Sequence, residues 1–77
     1  MAEYITEQQR QEIEDSVVYY GMREFHRLLE KYTGIEARPY WAYQYFDNCG
    51  NYIGDSHNSG LDDLLEAAYV KVVAGNG

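Results

Sequence analysis

The sequence has one cysteine, one proline and one tryptophan, and it is short of positive charge. The lone Cys49 excludes an internal disulfide and fits a reducing cytoplasm. Six basic residues against thirteen acidic ones give a net charge of −7, whereas a direct nucleic-acid binder needs a basic surface. No apolar run approaches the roughly 20 residues that span a bilayer, and the first residues lack the pattern of a signal peptide. We therefore expect a cytoplasmic protein with neither a membrane nor a direct nucleic-acid partner.

Apolar and aromatic residues are plentiful. The chain of 77 residues is 45% hydrophobic and 16% aromatic, which is typical of a folded globule. This length predicts one domain, residues 1–77. A domain of this size buries only about 60% of its unfolded surface, so we expect its stability to depend on good packing or on oligomerisation.

The first half of the chain predicts one long helix after a short lead-in over residues 1–5. Thr6 and Gln9 have the spacing of a capping box, and apolar residues then recur at about 3.6-residue intervals. Gly34 stands where a glycine often ends a helix. The predicted helix runs from about Glu7 to Thr33 and contains Gly21, which marks a bend or a close packing contact.

The middle of the chain predicts an antiparallel β-hairpin after a connector over residues 36–39. From Tyr40 to Phe46 the side chains alternate between two rows, and neither row is polar. The segment 47–50 has the residues of a turn with glycine in the left-handed conformation, and Tyr52 begins the return strand. One aromatic row must cover the helices, while the other is exposed or buried in a partner. Alternatively, the tyrosines only pair across strands and keep their hydroxyls in water.

The last third predicts a second helix. Ser59 with Asp62 resembles a capping box, Asn58 is a competing N-cap, and leucines follow at helical spacing. Residues 69–73 are rich in β-branched side chains and suit a short strand, but no turn residue precedes them, so we expect the helix to continue. The predicted fold is α+β, in the order α–β–β–α, with two helices packed on a short two-stranded hairpin.

Little in the sequence predicts catalysis. His26, Cys49 and His57 lie in separate segments without the spacing of a zinc site. Asp55, His57 and Ser59 include the residue types of a hydrolase triad, but neighbours in a polar loop are more typical of turns and caps. We expect no metal, no cofactor and no enzymatic activity, with a hydrolase using His57 and Asp55 as a minor alternative.

Binding to a protein is the better prediction. Acidic side chains could compete with nucleic acid for a basic groove, although acidic residues also serve simply to keep a protein in solution. Exposed aromatic side chains could act as the anchors of an interface. The candidate partner-binding residues are the acidic Glu14, Asp15, Asp62, Asp63 and Glu66 and the aromatic Tyr40, Trp41, Tyr43, Tyr45 and Tyr52.

Three short motifs resemble the signature region of the ArdB/KlcA antirestriction proteins. Tyr32-Thr33-Gly34 resembles that family's helix stop, Trp41-Ala42-Tyr43 its strand, and the segment 48–53 its turn and return strand. The similarity covers just under half of the chain. It implies a small protein of a phage or mobile element that blocks a host defence nuclease without catalysis, and small acidic anti-CRISPR proteins are similar in character.

We therefore expect a counter-defence inhibitor that binds a host nucleic-acid-processing complex through acidic and aromatic surfaces. The alternative is a small homo-oligomeric interaction module, such as a homodimer, that buries its second aromatic row in a symmetric partner.

Overall fold

Three helices and two separate β-sheets make up residues 4–74, the part of the chain that the computed structural model describes. The α+β class is confirmed, but the order α–β–β–α is wrong, because the long helix is broken and three further strands are present. In chain order the elements are β1 (Tyr4–Thr6), α1 (Glu7–Tyr19), α2 (Met22–Thr33), β2 (Glu36–Pro39), β3 (Tyr43–Phe46), β4 (Tyr52–Asp55), α3 (Leu61–Ala67) and β5 (Lys71–Val73).

The predicted long helix is two helices that pack against each other. The capping box is confirmed at its start, where Thr6 Oγ1 accepts from the Gln9 backbone N at 3.1 Å and Gln9 Oε1 accepts from the Thr6 backbone N at 3.0 Å. Gly21 breaks the helix because its φ of +98° suits glycine and lies far from helical values. The helix stop at Gly34 is confirmed, with a φ of +80° and its N donating to the Glu30 carbonyl.

The predicted hairpin is part of a three-stranded antiparallel sheet in the order β2–β3–β4. The hairpin itself is confirmed, with Gly50 in the left-handed conformation at a φ of +87°. The prediction of two strands is wrong because residues 36–39 are not a plain connector and pair with β3. Pro39 fits there because β2 is an edge strand, where a missing N–H need not break the ladder.

Residues at the two ends of the chain form the second sheet. β1 and β5 run parallel, with Tyr4 opposite Lys71 and Thr6 opposite Val73. A helix through residues 69–73 is therefore wrong, and the alternative of a short strand is right for 71–73. Tyr69 adopts a φ of +58° just after α3 and turns the chain. Of the predicted lead-in, residues 1–3 lie outside the described part.

The start of α3 differs from the prediction. Gly60 is the N-cap, and the Asp63 carboxylate accepts from its backbone N at 3.1 Å. The predicted caps at Asn58 and Ser59 are wrong, because the helix begins only at Leu61 and the residue before it is Gly60.

One core joins the helices to both sheets. Ser16 and Thr33 are buried polar residues, and their hydroxyls donate to the carbonyls of Ile13 and Leu29. The buried apolar side chains are Ile5, Ile13, Phe25, Leu28, Leu29, Ile35, Tyr45, Leu64, Leu65 and Val70.

None of the helices between residues 4 and 74 is long and apolar enough to cross a membrane.

Candidate binding surfaces

Two of the predicted aromatic residues stand on the loop between β2 and β3. Tyr40 and Trp41, here called the aromatic tip, are 68% and 72% exposed. The loop is closed by a hydrogen bond from the Tyr40 backbone N to the Ala42 carbonyl at 2.8 Å. The Trp41 ring packs edge-on against the His57 imidazole, with 4.9 Å between centroids. The tip is therefore an exposed pair of large aromatic rings on a closed loop, with one ring held by a neighbour.

Burial increases steeply along the row from Trp41 to Tyr45. Tyr43 is partly exposed and its ring lies against His26, with 4.4 Å between centroids. Tyr45 is only 1% exposed and belongs to the core. Its neighbours across the sheet are Ala37 and Gly54, which are small enough to leave room for the ring. Tyr45 was predicted as a partner-binding residue, and that prediction is wrong because its side chain faces the helices.

Tyr52 lies on the opposite face of the sheet from Tyr45. It pairs across the sheet with Phe46, and the two rings are 5.9 Å apart. The Tyr52 hydroxyl donates to Asp55 at 3.1 Å, and the Arg38 guanidinium lies 4.2 Å from the centre of the Phe46 ring. The side chain of Tyr52 is exposed and lies on the sheet face that carries Phe46.

Two acidic candidates are paired with the same arginine. Arg10 donates through Nε and NH2 to the Asp62 carboxylate, each at 3.0 Å, and through NH1 to Glu14 at 2.6 Å. These bonds tie α1 to α3 and bring together residues that lie far apart in sequence. The hydrogen bonds from Arg10 also hold the pKa of the Asp62 carboxyl below its ordinary value. Glu14 and Asp62 are thus each paired with the same positive charge, which partly neutralises them.

The other acidic candidates are placed differently. Asp15 accepts a hydrogen bond from the Gln11 side chain at 2.9 Å, and Asp63 caps α3 through Gly60. Glu66 is exposed on α3. The structure therefore brings Glu14, Asp62 and Asp63 to one place, and Asp15 and Glu66 are not part of that group.

That place is an open cleft of about 560 Å³ between α1, α2 and the start of α3. Its charged lining residues are Arg10, Glu14, Asp62 and Asp63; the three carboxylates are exposed, and we call these four residues its rim. Its apolar and aromatic lining residues, which we call the floor, come from all three helices and from β3, and Ser56, Ser59 and Gly60 complete the lining. We call it the acidic-rimmed cleft. The sequence analysis missed it, because its walls come from segments that no local pattern connects.

The residues considered for catalysis have structural contacts instead. The Asp55 carboxylate accepts from the backbone N of Asn58 at 2.8 Å and of His57 at 3.0 Å, and these bonds lower its pKa. The His57 ring lies against Trp41. Asp55 therefore orders the loop through backbone N–H groups, which is the turn role that the sequence analysis favoured for this segment.

His26 was considered only as a metal ligand, and its observed contact was missed. Its Nε2 shares a 2.8 Å hydrogen bond with the buried hydroxyl of Tyr45. Within residues 4–74, no three His, Cys, Asp or Glu side chains form a group that could hold a metal ion.

The chain matches no protein-family model, no curated protein and no solved structure.

Proposed function

We propose that this protein is a non-catalytic inhibitor, encoded by a phage or mobile element, that binds a host nucleic-acid-processing defence complex in the host cytoplasm. The observation that carries the proposal is the aromatic tip, with Tyr40 68% and Trp41 72% exposed. Trp and Tyr are enriched among the residues that dominate binding energy at protein interfaces. A large exposed aromatic pair therefore favours a protein partner.

The loop that carries the tip is held by the segment that follows β4, which favours binding. The Tyr43 backbone N donates to Ser56 Oγ at 3.0 Å, and the Ser56 backbone N donates to the Tyr43 carbonyl at 2.9 Å. His57 then lies against Trp41. An ordered loop loses less conformational entropy on association than a mobile one does. The tip is thus suited to insertion into a pocket of a partner.

Charge supports a partner that handles nucleic acid. The net charge of −7 attracts a basic groove and steers the encounter with it. Two routes follow, namely insertion of the aromatic tip and occupation of the groove by carboxylates such as Glu14, Asp62, Asp63 and Glu66. Because Arg10 already pairs with Glu14 and Asp62, we favour the aromatic route. A steep dependence of binding on salt would favour the acidic route.

The resemblance to the ArdB/KlcA proteins supports the choice of a defence complex. Its strand motif, Trp41-Ala42-Tyr43, includes one residue of the aromatic tip, and of the three residues only Tyr43 lies in a strand. The resemblance and the exposed tryptophan therefore concern the same part of the chain.

The test is co-purification of the tagged protein with restriction and CRISPR effector complexes, combined with phage plating on the defended host. We expect Trp41→Ala to weaken capture at least about tenfold. The matched control is Tyr69→Ala, which removes an exposed ring on the turn after α3. Capture of none of these complexes with no protection of the phage, or full capture by Trp41→Ala, would contradict the proposal.

A homo-oligomeric module is the second candidate, and one observation favours it. Four consecutive apolar residues, Val17 to Tyr20, have exposed side chains at the end of α1. Such a run is unusual on a monomer and suits a symmetric interface. Light scattering across protein concentrations tests this candidate. A dimer that the double substitution Tyr19→Ser and Tyr20→Ser converts to a monomer would favour it.

A further inference from the structure

The floor of the acidic-rimmed cleft is an apolar surface without an occupant in the described fold. Val17 of α1, Met22 and Phe25 of α2, and Leu61 and Leu64 at the start of α3 all line it. Its volume of about 560 Å³ is large enough for several side chains, and it lies within the range of about 300–1,000 Å³ common for binding pockets. Met22 adds a flexible thioether that adapts to differently shaped partners.

The rim of the cleft carries an excess of negative charge. Three carboxylates, from Glu14, Asp62 and Asp63, line the cleft together with one guanidinium, from Arg10. Arg10 uses Nε, NH1 and NH2 in its bonds to Glu14 and Asp62. Asp63 accepts from the Gly60 backbone N, and its remaining carboxylate lone pairs can still accept from a ligand. Three negative charges and one positive charge leave a net charge of −2 at the rim after Arg10 is paired, so the rim favours a cation over an anion.

We propose that the acidic-rimmed cleft is a second binding surface, whose occupant is a segment of a protein partner with apolar side chains flanked by lysine or arginine. The apolar side chains cover the floor, and the stems of the basic side chains lie across its edge with their charged ends at the rim. Nucleic acid is excluded as an occupant because its phosphates meet three carboxylates. The cleft differs from the aromatic tip in position and in chemistry, so this inference does not depend on the aromatic route of the proposed function, although it uses carboxylates that the acidic route also names.

Three short peptides provide a direct test. The probe is an acetylated and amidated hexapeptide, Gly-Lys-Leu-Phe-Arg-Gly. One control replaces both basic residues by glutamate, and the other replaces leucine and phenylalanine by serine. Each peptide is titrated into ¹⁵N-labelled protein, and amide shifts are followed by NMR. We expect saturable shifts around Val17, Met22 and Leu61 with the probe alone.

Two matched pairs of variants assign the contributions of the floor and the rim. Val17→Ser should weaken binding of the probe about fivefold, whereas Val18→Ser, next to it but outside the cleft, should leave binding unchanged. Asp63→Asn keeps an oxygen that can accept from Gly60 and removes one charge, so it should weaken binding about threefold. Its control, Asp15→Asn, removes a charge away from the cleft.

Several results would overturn the inference. They are an absence of shifts at millimolar probe, equal affinity for the glutamate peptide, or shifts confined to the aromatic tip. Equal loss of binding in Val17→Ser and Val18→Ser would also overturn it. Circular dichroism of each variant verifies that the fold is retained, so that a change in binding reports on the cleft.

Discussion

The hydroxyl of Tyr45 and Nε2 of His26 lie 2.8 Å apart and share the hydrogen bond that joins α2 to the middle strand of the three-stranded sheet. Tyr45 is 1% exposed, so its hydroxyl cannot turn to water for a partner. Burial raises the pKa of Tyr45 to about 12 and lowers the pKa of His26. Both groups are therefore held in their neutral forms at pH 7.

Loss of either member of this pair should leave the other without its partner. We expect Tyr45→Phe and His26→Phe each to lower the free energy of unfolding by about 1–2 kcal/mol. The double variant should lose clearly less than the sum, because the bond is removed only once. Urea denaturation measures all three, and Tyr40→Phe on the exposed tip serves as a control. Simple additivity of the two single changes would show that the bond does not couple them.

The stability of the fold should fall in mild acid because of His26. Its folded pKa is lowered from the ordinary value of 6.5 by burial. Below pH 6.5 the unfolded chain therefore binds a proton more readily than the folded one, and unfolding becomes easier until the pH reaches the folded pKa. Phe25, Tyr43 and Tyr45, the rings around His26, carry no charge in this range.

Urea midpoints measured between pH 7.5 and pH 5, on the order of one unit to either side of the ordinary histidine pKa, test this prediction. The carboxylates with lowered pKa, such as Asp47 and Asp62, lose their contribution only in stronger acid, below their ordinary value of 3.8. We expect His26→Gln to flatten the decrease and His57→Gln, in the exposed loop, to retain it. The same slope in wild type and His26→Gln would refute the assignment.

Gly54 is required because β4 packs closely on the loop before α3. A Cβ atom built at Gly54 lies 2.3 Å from Ser59 Oγ and 3.2 Å from Leu64 Cδ2. We expect Gly54→Ala to lower the free energy of unfolding by about 1–3 kcal/mol. Ser59→Gly in the same chain should restore part of the loss, because it removes the closest atoms. At Gly60 the nearest atom is 3.8 Å away, so Gly60→Ala is the control and should change stability by less than about 1 kcal/mol.

The features that the sequence predicted correctly depend on interactions within a few residues. The Thr6 capping box, the stop at Gly34 and the turn at Gly50 each need only a local pattern. The break at Gly21 could not be separated from a bend, because a glycine permits both conformations. The pairing of β1 with β5 joins the ends of the described chain, and a three-residue strand leaves no periodic pattern to detect.

The candidate surfaces were predictable only in part, for a similar reason. The alternation from Tyr40 to Phe46 predicted two rows, with Tyr40 in one and Trp41 in the other. Both are exposed, because they stand on the loop before β3 and not in a strand. The burial of Tyr45 depends on Ala37 and Gly54 beside it, which belong to other strands. The pairing of Arg10 with Asp62 spans 52 positions and depends on how α3 packs against α1. Sequence patterns alone carry no information on such contacts.

Tyr69 offers a test of the turn that leads into β5. Its φ of +58° is a left-handed conformation, which disfavours any residue with a Cβ, and its side chain is 87% exposed. Glycine at this position should therefore be more stable than alanine by about 1 kcal/mol, because it removes the strain. At Tyr20, which is also exposed but has a φ of −125°, alanine should be the more stable of the two. Urea midpoints of the four variants give the comparison. If alanine were preferred at both positions, Tyr69 would not adopt the left-handed turn, and the parallel pairing of β5 with β1 would lose the turn that leads into it.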